Sequence, residues 1–103
     1  MATDWFTVLQ DEGKKARAVT ERLKASINDP GVTEADAAAN YREVENAAQA
    51  FDHMYSRMED EDAPDEVFDA AETLQEQWAM LATLAVNKLR MVQGKPAIEY
   101  PEG

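Results

Sequence analysis

The chain has 103 residues, no cysteine, and 21 acidic against 10 basic side chains, a formal net charge of −11. Its 45% hydrophobic content marks a folded chain rather than a disordered one, and one domain of this length buries roughly 60–65% of its unfolded surface. The charge argues against binding free nucleic acid or an anionic membrane, both of which need a cationic surface. The missing cysteines exclude disulfides and thiolate chemistry.

The first residues, MATDWFTVLQDEG, carry no basic segment followed by an apolar one, so no secretory leader is expected there. The longest mostly apolar run, Trp78 to Val86, falls well short of the ~20 residues that span a bilayer. A soluble, cytoplasmic protein is expected.

In chain order, the first predicted helix covers about Asp4 to Ile27. Its stripe is Trp5, Leu9, Glu12, Ala16, Val19, Leu23 and Ile27, at steps of three and four with one polar interruption. Gly13 lies beside the interruption and costs about 1 kcal/mol relative to alanine. Gln10 to Gly13 is therefore a candidate kink or break, which leaves open whether the first turns form a separate segment. Asn28-Asp29-Pro30-Gly31 stops the helix and turns the chain. Thr33 with Asp36 resembles a capping box and opens a second helix. Its stripe is Ala37, Tyr41, Val44, Ala48, Phe51, Tyr55 and Met58, the repeat of a helix crossing others at a shallow angle.

Glu59 to Ala63 is predicted as a break of five residues, with Asp62 or Ala63 capping a third helix and Pro64 in its first turn, where a missing N–H is harmless. That helix is expected to reach about Gln93 and stop at Gly94, which suits a left-handed C-terminal position. Its main stripe is Val67, Ala71, Leu74, Trp78, Leu81, Ala85, Leu89 and Val92. Met80, Leu84 and Met91 form a second apolar surface in its C-terminal half. A helix apolar on two sides is buried on two sides, so this helix is expected either at the centre of the bundle or against a second copy or partner. The overall expectation is an all-α fold: three long helices, successive ones antiparallel, in one bundle domain over residues 1–94. Residues 95–103 form a short extended tail in which Ile98 and Tyr100 share a side. A frayed tail is expected over a docked one.

No catalytic or metal constellation stands out. Ser26 and Ser56 lack a plausible base, and His53 is the sole histidine. Asp60, Asp62 and Asp65 lack the central glycine and the twelfth-position glutamate of a calcium loop. No cofactor is implied, and an enzyme is not expected. What remains is charge. Glu59, Asp60, Glu61, Asp62, Asp65, Glu66, Asp69, Glu72 and Glu76 are nine acids in a stretch with no base. Asp65 and Glu66 suit the start of a helix dipole, and Lys88 and Arg90 suit the end of the same helix. The remaining acids repel one another at helical spacing.

Two functions of different class fit. One is a non-enzymatic inhibitor of the phage or plasmid kind, whose carboxylates stand in for phosphates and occupy the basic nucleic-acid-binding surface of a host enzyme or defence complex. The other is an oligomeric structural or adaptor protein, a homodimer for instance, assembled through Met80, Leu84 and Met91. In either case the partner is a protein, with no direct contact to nucleic acid or membrane.

Overall fold

A computed structural model describes residues 3–98. It contains three helices: α1 Trp5–Ile27, α2 Glu34–Asp60 and α3 Asp65–Val92. Asp4 caps α1, accepting from the Thr7 hydroxyl at 2.8 Å and the Thr7 N–H at 3.2 Å. These two bonds, the hydroxyl first, hold its carboxyl below the usual range. α1 runs unbroken through Gly13. Leu9 and Ala16, both buried, hold the turns on either side, and the small intrinsic penalty of one glycine does not break a packed helix.

Between α1 and α2 the Asp29 carboxylate accepts from the Gly31 N–H at 2.8 Å, a side-chain turn that Asp favours. Thr33 caps α2 by accepting from the Asp36 N–H at 3.1 Å.

The junction between α2 and α3 differs from the sequence expectation. α2 continues through Glu59 and Asp60, so the break shrinks to residues 61–64. The Ala63 N–H donates to the Met58 carbonyl at 3.0 Å, and the Asp62 N–H donates to the Glu59 carbonyl at 3.2 Å. This pair of bonds is a Schellman closure, in which the left-handed residue is usually glycine. Here it is Asp62, at φ 54°, and buried Ala63 packs over fully buried Met58. Neither Asp62 nor Ala63 caps α3. Pro64 occupies the cap position itself, with no side-chain hydrogen bond. Its carbonyl accepts from the N–H groups of Val67 and Phe68. The other end of α3 closes the same way around Gly94, at φ 75°, with the Lys95 N–H on the Arg90 carbonyl at 2.7 Å.

The start of α1 lies beside the end of α2 and the start of α3, where Trp5, Glu61, Ala63 and Val67 line one opening. The far ends also meet: Asn40 donates to the Ser26 hydroxyl at 3.4 Å, and Gln93 donates to Glu34 at 3.1 Å. The bundle is therefore up-down-up, with α3 packed on both neighbours and α1 touching α2 sparsely. Its extents are 49 × 24 × 16 Å. The core takes Trp5, Leu9, Ala16, Val19 and Leu23 from α1, Val44, Phe51 and Met58 from α2, and Val67, Ala71, Trp78, Leu81 and Ala85 from α3. The central position of α3 shows in its N-terminal half, where Phe68 meets Tyr55 of α2 edge-on at 5.5 Å and Leu74 lines one opening with Leu9 and Gly13 of α1; it does not cover Met80 and Met91, which stay exposed.

Two further features run against the sequence expectation. Lys88 does not serve the dipole of its own helix. Buried to 6% exposure, its ammonium donates to the carbonyls of Ile27 and Asp29 at 3.3 and 3.1 Å, at the negative end of α1. The tail, as far as it is described, is docked rather than frayed. Asn87 accepts from the Ile98 N–H at 2.8 Å and donates to the Ile98 carbonyl at 3.1 Å. Arg90 donates to the Pro96 carbonyl at 2.6 Å. Tyr100 lies outside the described residues.

The helix ends and Gly13 give two stability tests. A Cβ at Gly13 would meet no atom within 4 Å, so Gly13→Ala should raise the unfolding free energy by roughly 0.5–1 kcal/mol in urea denaturation. Asp62→Gly should stabilise by about 1 kcal/mol, because it relieves the left-handed strain on a Cβ-bearing residue and removes one charge from a crowded end.

Candidate acidic interface

The nine acids divide among three structural settings. Glu59 and Asp60 end α2, Glu61 and Asp62 form the turn, and Asp65, Glu66, Asp69, Glu72 and Glu76 lie on α3. All nine are exposed. On α3, Asp65, Asp69, Glu72 and Glu76 each stand two residues before a core residue: Val67, Ala71, Leu74 and Trp78. Two residues turn a helix by about 200°. The row of acids is therefore the back of the core stripe, and it runs for about three turns, about 16 Å.

Most of this charge is left uncompensated. Among the described residues only Glu61 has an ion-pair partner, Arg57 at 3.6 Å. The Thr3 hydroxyl also donates to Glu61 at 2.7 Å. Arg57 itself lies over the Trp5 ring at 5.7 Å, which ties this cation to α1. The positions of several acids also oppose the helix dipoles. Asp65 and Glu66 are favourable at the positive start of α3. Glu59 and Asp60, with α2 extended to include them, sit at that helix's negative end, where each costs a few tenths of a kcal/mol or more. Asp65 with Asp69, and Glu72 with Glu76, repel at i, i+4 by about 0.2–0.5 kcal/mol per pair.

Tyr55 reports on this field. It is half-buried beside Phe68, and its hydroxyl lies 3.5 Å from Glu72. Partial burial, then the negative charges of Glu72 and Glu59, push its phenol above the ordinary value. The sequence reading placed Tyr55 on the core stripe and missed this contact, since nothing in the spacing pairs residues 55 and 72. Lys88, Asn87 and Arg90 were likewise invisible as contacts between elements.

The second candidate surface is only partly a surface. Met80 and Met91 are exposed at 55% and 59%, and Leu84 is half-buried. Phe6 adds another exposed apolar side chain, at 56%, on the α1–α3 side. His53 is exposed and Ser26 is buried. Among the described residues, no group of three or more His, Cys, Asp or Glu side chains is arranged to hold a metal ion. No described helix is long and apolar enough to cross a membrane.

No protein-family model, curated protein or solved structure matches this chain.

The Tyr55 phenol gives a direct test of the field. A raised folded-state value means that its contribution to stability is complete below about pH 10 and is lost as the pH rises further. In a spectrophotometric titration, the transition removed by Tyr55→Phe should lie above that of free tyrosine. Glu72→Gln should bring it down, and added salt should do so more weakly.

Proposed function

We propose that this chain is a non-enzymatic cytoplasmic binding protein that docks its acidic end and the acidic row of α3 onto a basic protein surface. The carrying observation is that five of the nine acids lie where the fold gains nothing from them. Glu59 and Asp60 are at the wrong end of α2, and Asp69, Glu72 and Glu76 form an unneutralised row. Charge that costs stability is retained where another molecule neutralises it. A helix presenting an acid at every turn offers a regular line of negative charge, as a nucleic-acid backbone does. The finer reading follows: the partner's basic surface is one that ordinarily holds nucleic acid, and occupation by this chain blocks it, as phage- and plasmid-borne inhibitors do.

A second reading has its own support. Met80 and Met91 are exposed on the apolar flank of α3, and methionine suits an adaptable protein contact. In that reading the chain self-associates or joins an assembly through Met80, Leu84 and Met91, and the acids keep the assembly soluble.

Affinity capture on the immobilised chain separates the two. Under the first reading, nucleic-acid-handling proteins are retained at low salt and released at high salt, and the triple reversal Asp62→Lys, Asp65→Lys, Asp69→Lys weakens retention more than tenfold. Met80→Glu with Leu84→Glu leaves it unchanged. If the apolar pair abolishes retention or self-association and the reversals do not, the second reading replaces the first.

A further inference from the structure

We propose that the opening between the C-terminal ends of α1 and α3, closed on one side by the tail, is a binding site for a small amphipathic anion, a medium-chain or aryl carboxylate. The opening has a volume of about 300 Å³ and is walled by Ile27 of α1, Leu84 and Met91 of α3, and Ala97 of the tail. Lys88 and Lys95 also line it, and no acid does, in a chain with 21 acids.

The charge balance around Lys88 is the central observation. Its ammonium is buried, and the two groups that accept from it, the Ile27 and Asp29 carbonyls, are neutral. Among the described residues no carboxylate lies within ion-pair distance of it. A lysine carries three donors, and a buried cation compensated only by a helix end favours a nearby anion. Lys95, exposed at the rim, adds a second positive charge. Apart from Asn87, whose amide is bonded to the Ile98 backbone, the walls between them are apolar, which selects a ligand with a hydrocarbon or aromatic body rather than a bare inorganic ion. The volume is at the low end for small-molecule sites, which range over roughly 300–1,000 Å³, so the ligand is small and carries one charged group.

The site is formed in advance. The tail wall is fixed at two points, by Arg90 on the Pro96 carbonyl and by the paired bonds between Asn87 and Ile98.

The test is a titration of the ¹⁵N-labelled full chain with octanoate, and in parallel with the uncharged octanol, followed by amide shifts. The expected result is saturable shifts at Ile27, Leu84, Met91 and Ala97, with octanoate at least tenfold tighter than octanol. Lys95→Gln should weaken octanoate by roughly two- to fivefold, as loss of a rim charge does. Leu84→Trp fills the opening and should abolish binding while the helical circular dichroism and cooperative melting persist. Lys88→Met, read at a temperature where melting shows it folded, should weaken octanoate more than Lys95→Gln does and leave octanol unchanged, and unchanged octanoate affinity in that folded variant would overturn the assignment. Equal affinity for octanol, saturable shifts elsewhere on the bundle, or no saturation would overturn the assignment.

Discussion

Trp78 is the largest side chain with almost no exposure, and it sits midway along the helix that packs against both others. The bundle depends on this placement. On the α2 side it lies beside Ala48 and Phe51, small against large, so that α2 approaches closely along Val44, Phe51 and Met58. On its own helix Ala71 and Ala85 keep the neighbouring turns slim enough for α1 to reach the same core. Among the described residues the indole N–H has no partner, which costs on the order of 1–3 kcal/mol. That penalty is offset by the apolar area an indole removes from water, among the largest of any side chain. The residue is there for volume and not for its polar atom. Because α3 carries the centre, α1 and α2 need little direct contact; an exposed Arg22–Glu43 ion pair and the Asn40–Ser26 bond bridge them.

Electrostatics sit on this apolar frame and partly oppose it. Two of the five bases of α1 are paired within the helix, Lys15 with Glu12 and Lys24 with Glu21, and Arg22 pairs with Glu43 of α2. The acids at the α2–α3 junction have no such balance beyond Arg57. The same junction holds the one non-glycine residue in the left-handed region among the described residues, Asp62. Strain and charge therefore accumulate at one end of a fold whose other features are mutually consistent. Such local inconsistency is where functional demand is expected to show.

How much of this was readable from the residues follows from which forces are local. The stripes of all three helices were legible, because burial imposes a period of three and four. Ala37, Val44, Phe51 and Met58 are the buried members of one such run. Gly94 was legible because its backbone requirement is intrinsic. The junction was misplaced because Asp62 adopts a conformation for which glycine is the usual signal, and because a helix cap normally carries a polar side chain and Pro64 does not. Lys88 was assigned to its own helix since sequence spacing carries no information about a carbonyl that belongs to residue 27. The tail was expected to fray for the same reason: its anchors, Arg90 and Asn87, are six and eleven residues away and signal nothing in the primary pattern. The acidic stretch was visible as composition. Its arrangement as a row behind the core stripe, and its extension over the negative end of α2, appear only once the helix bounds are known.

The up-down-up order has one more consequence. With α1 and α3 parallel, two helix starts and one helix end gather beside the acids, while among the described residues the opposite end holds Lys24, Lys88, Arg90 and Lys95 against Asp29, Glu34 and Asp36. Along a body 49 Å long, that is a strongly negative pole facing a nearly neutral one. Such a molecule does not tumble indifferently near a charged surface. Beside a positively charged surface it experiences a torque that turns its acidic pole forward, and beside a negative one the opposite torque, both growing as the ionic strength falls.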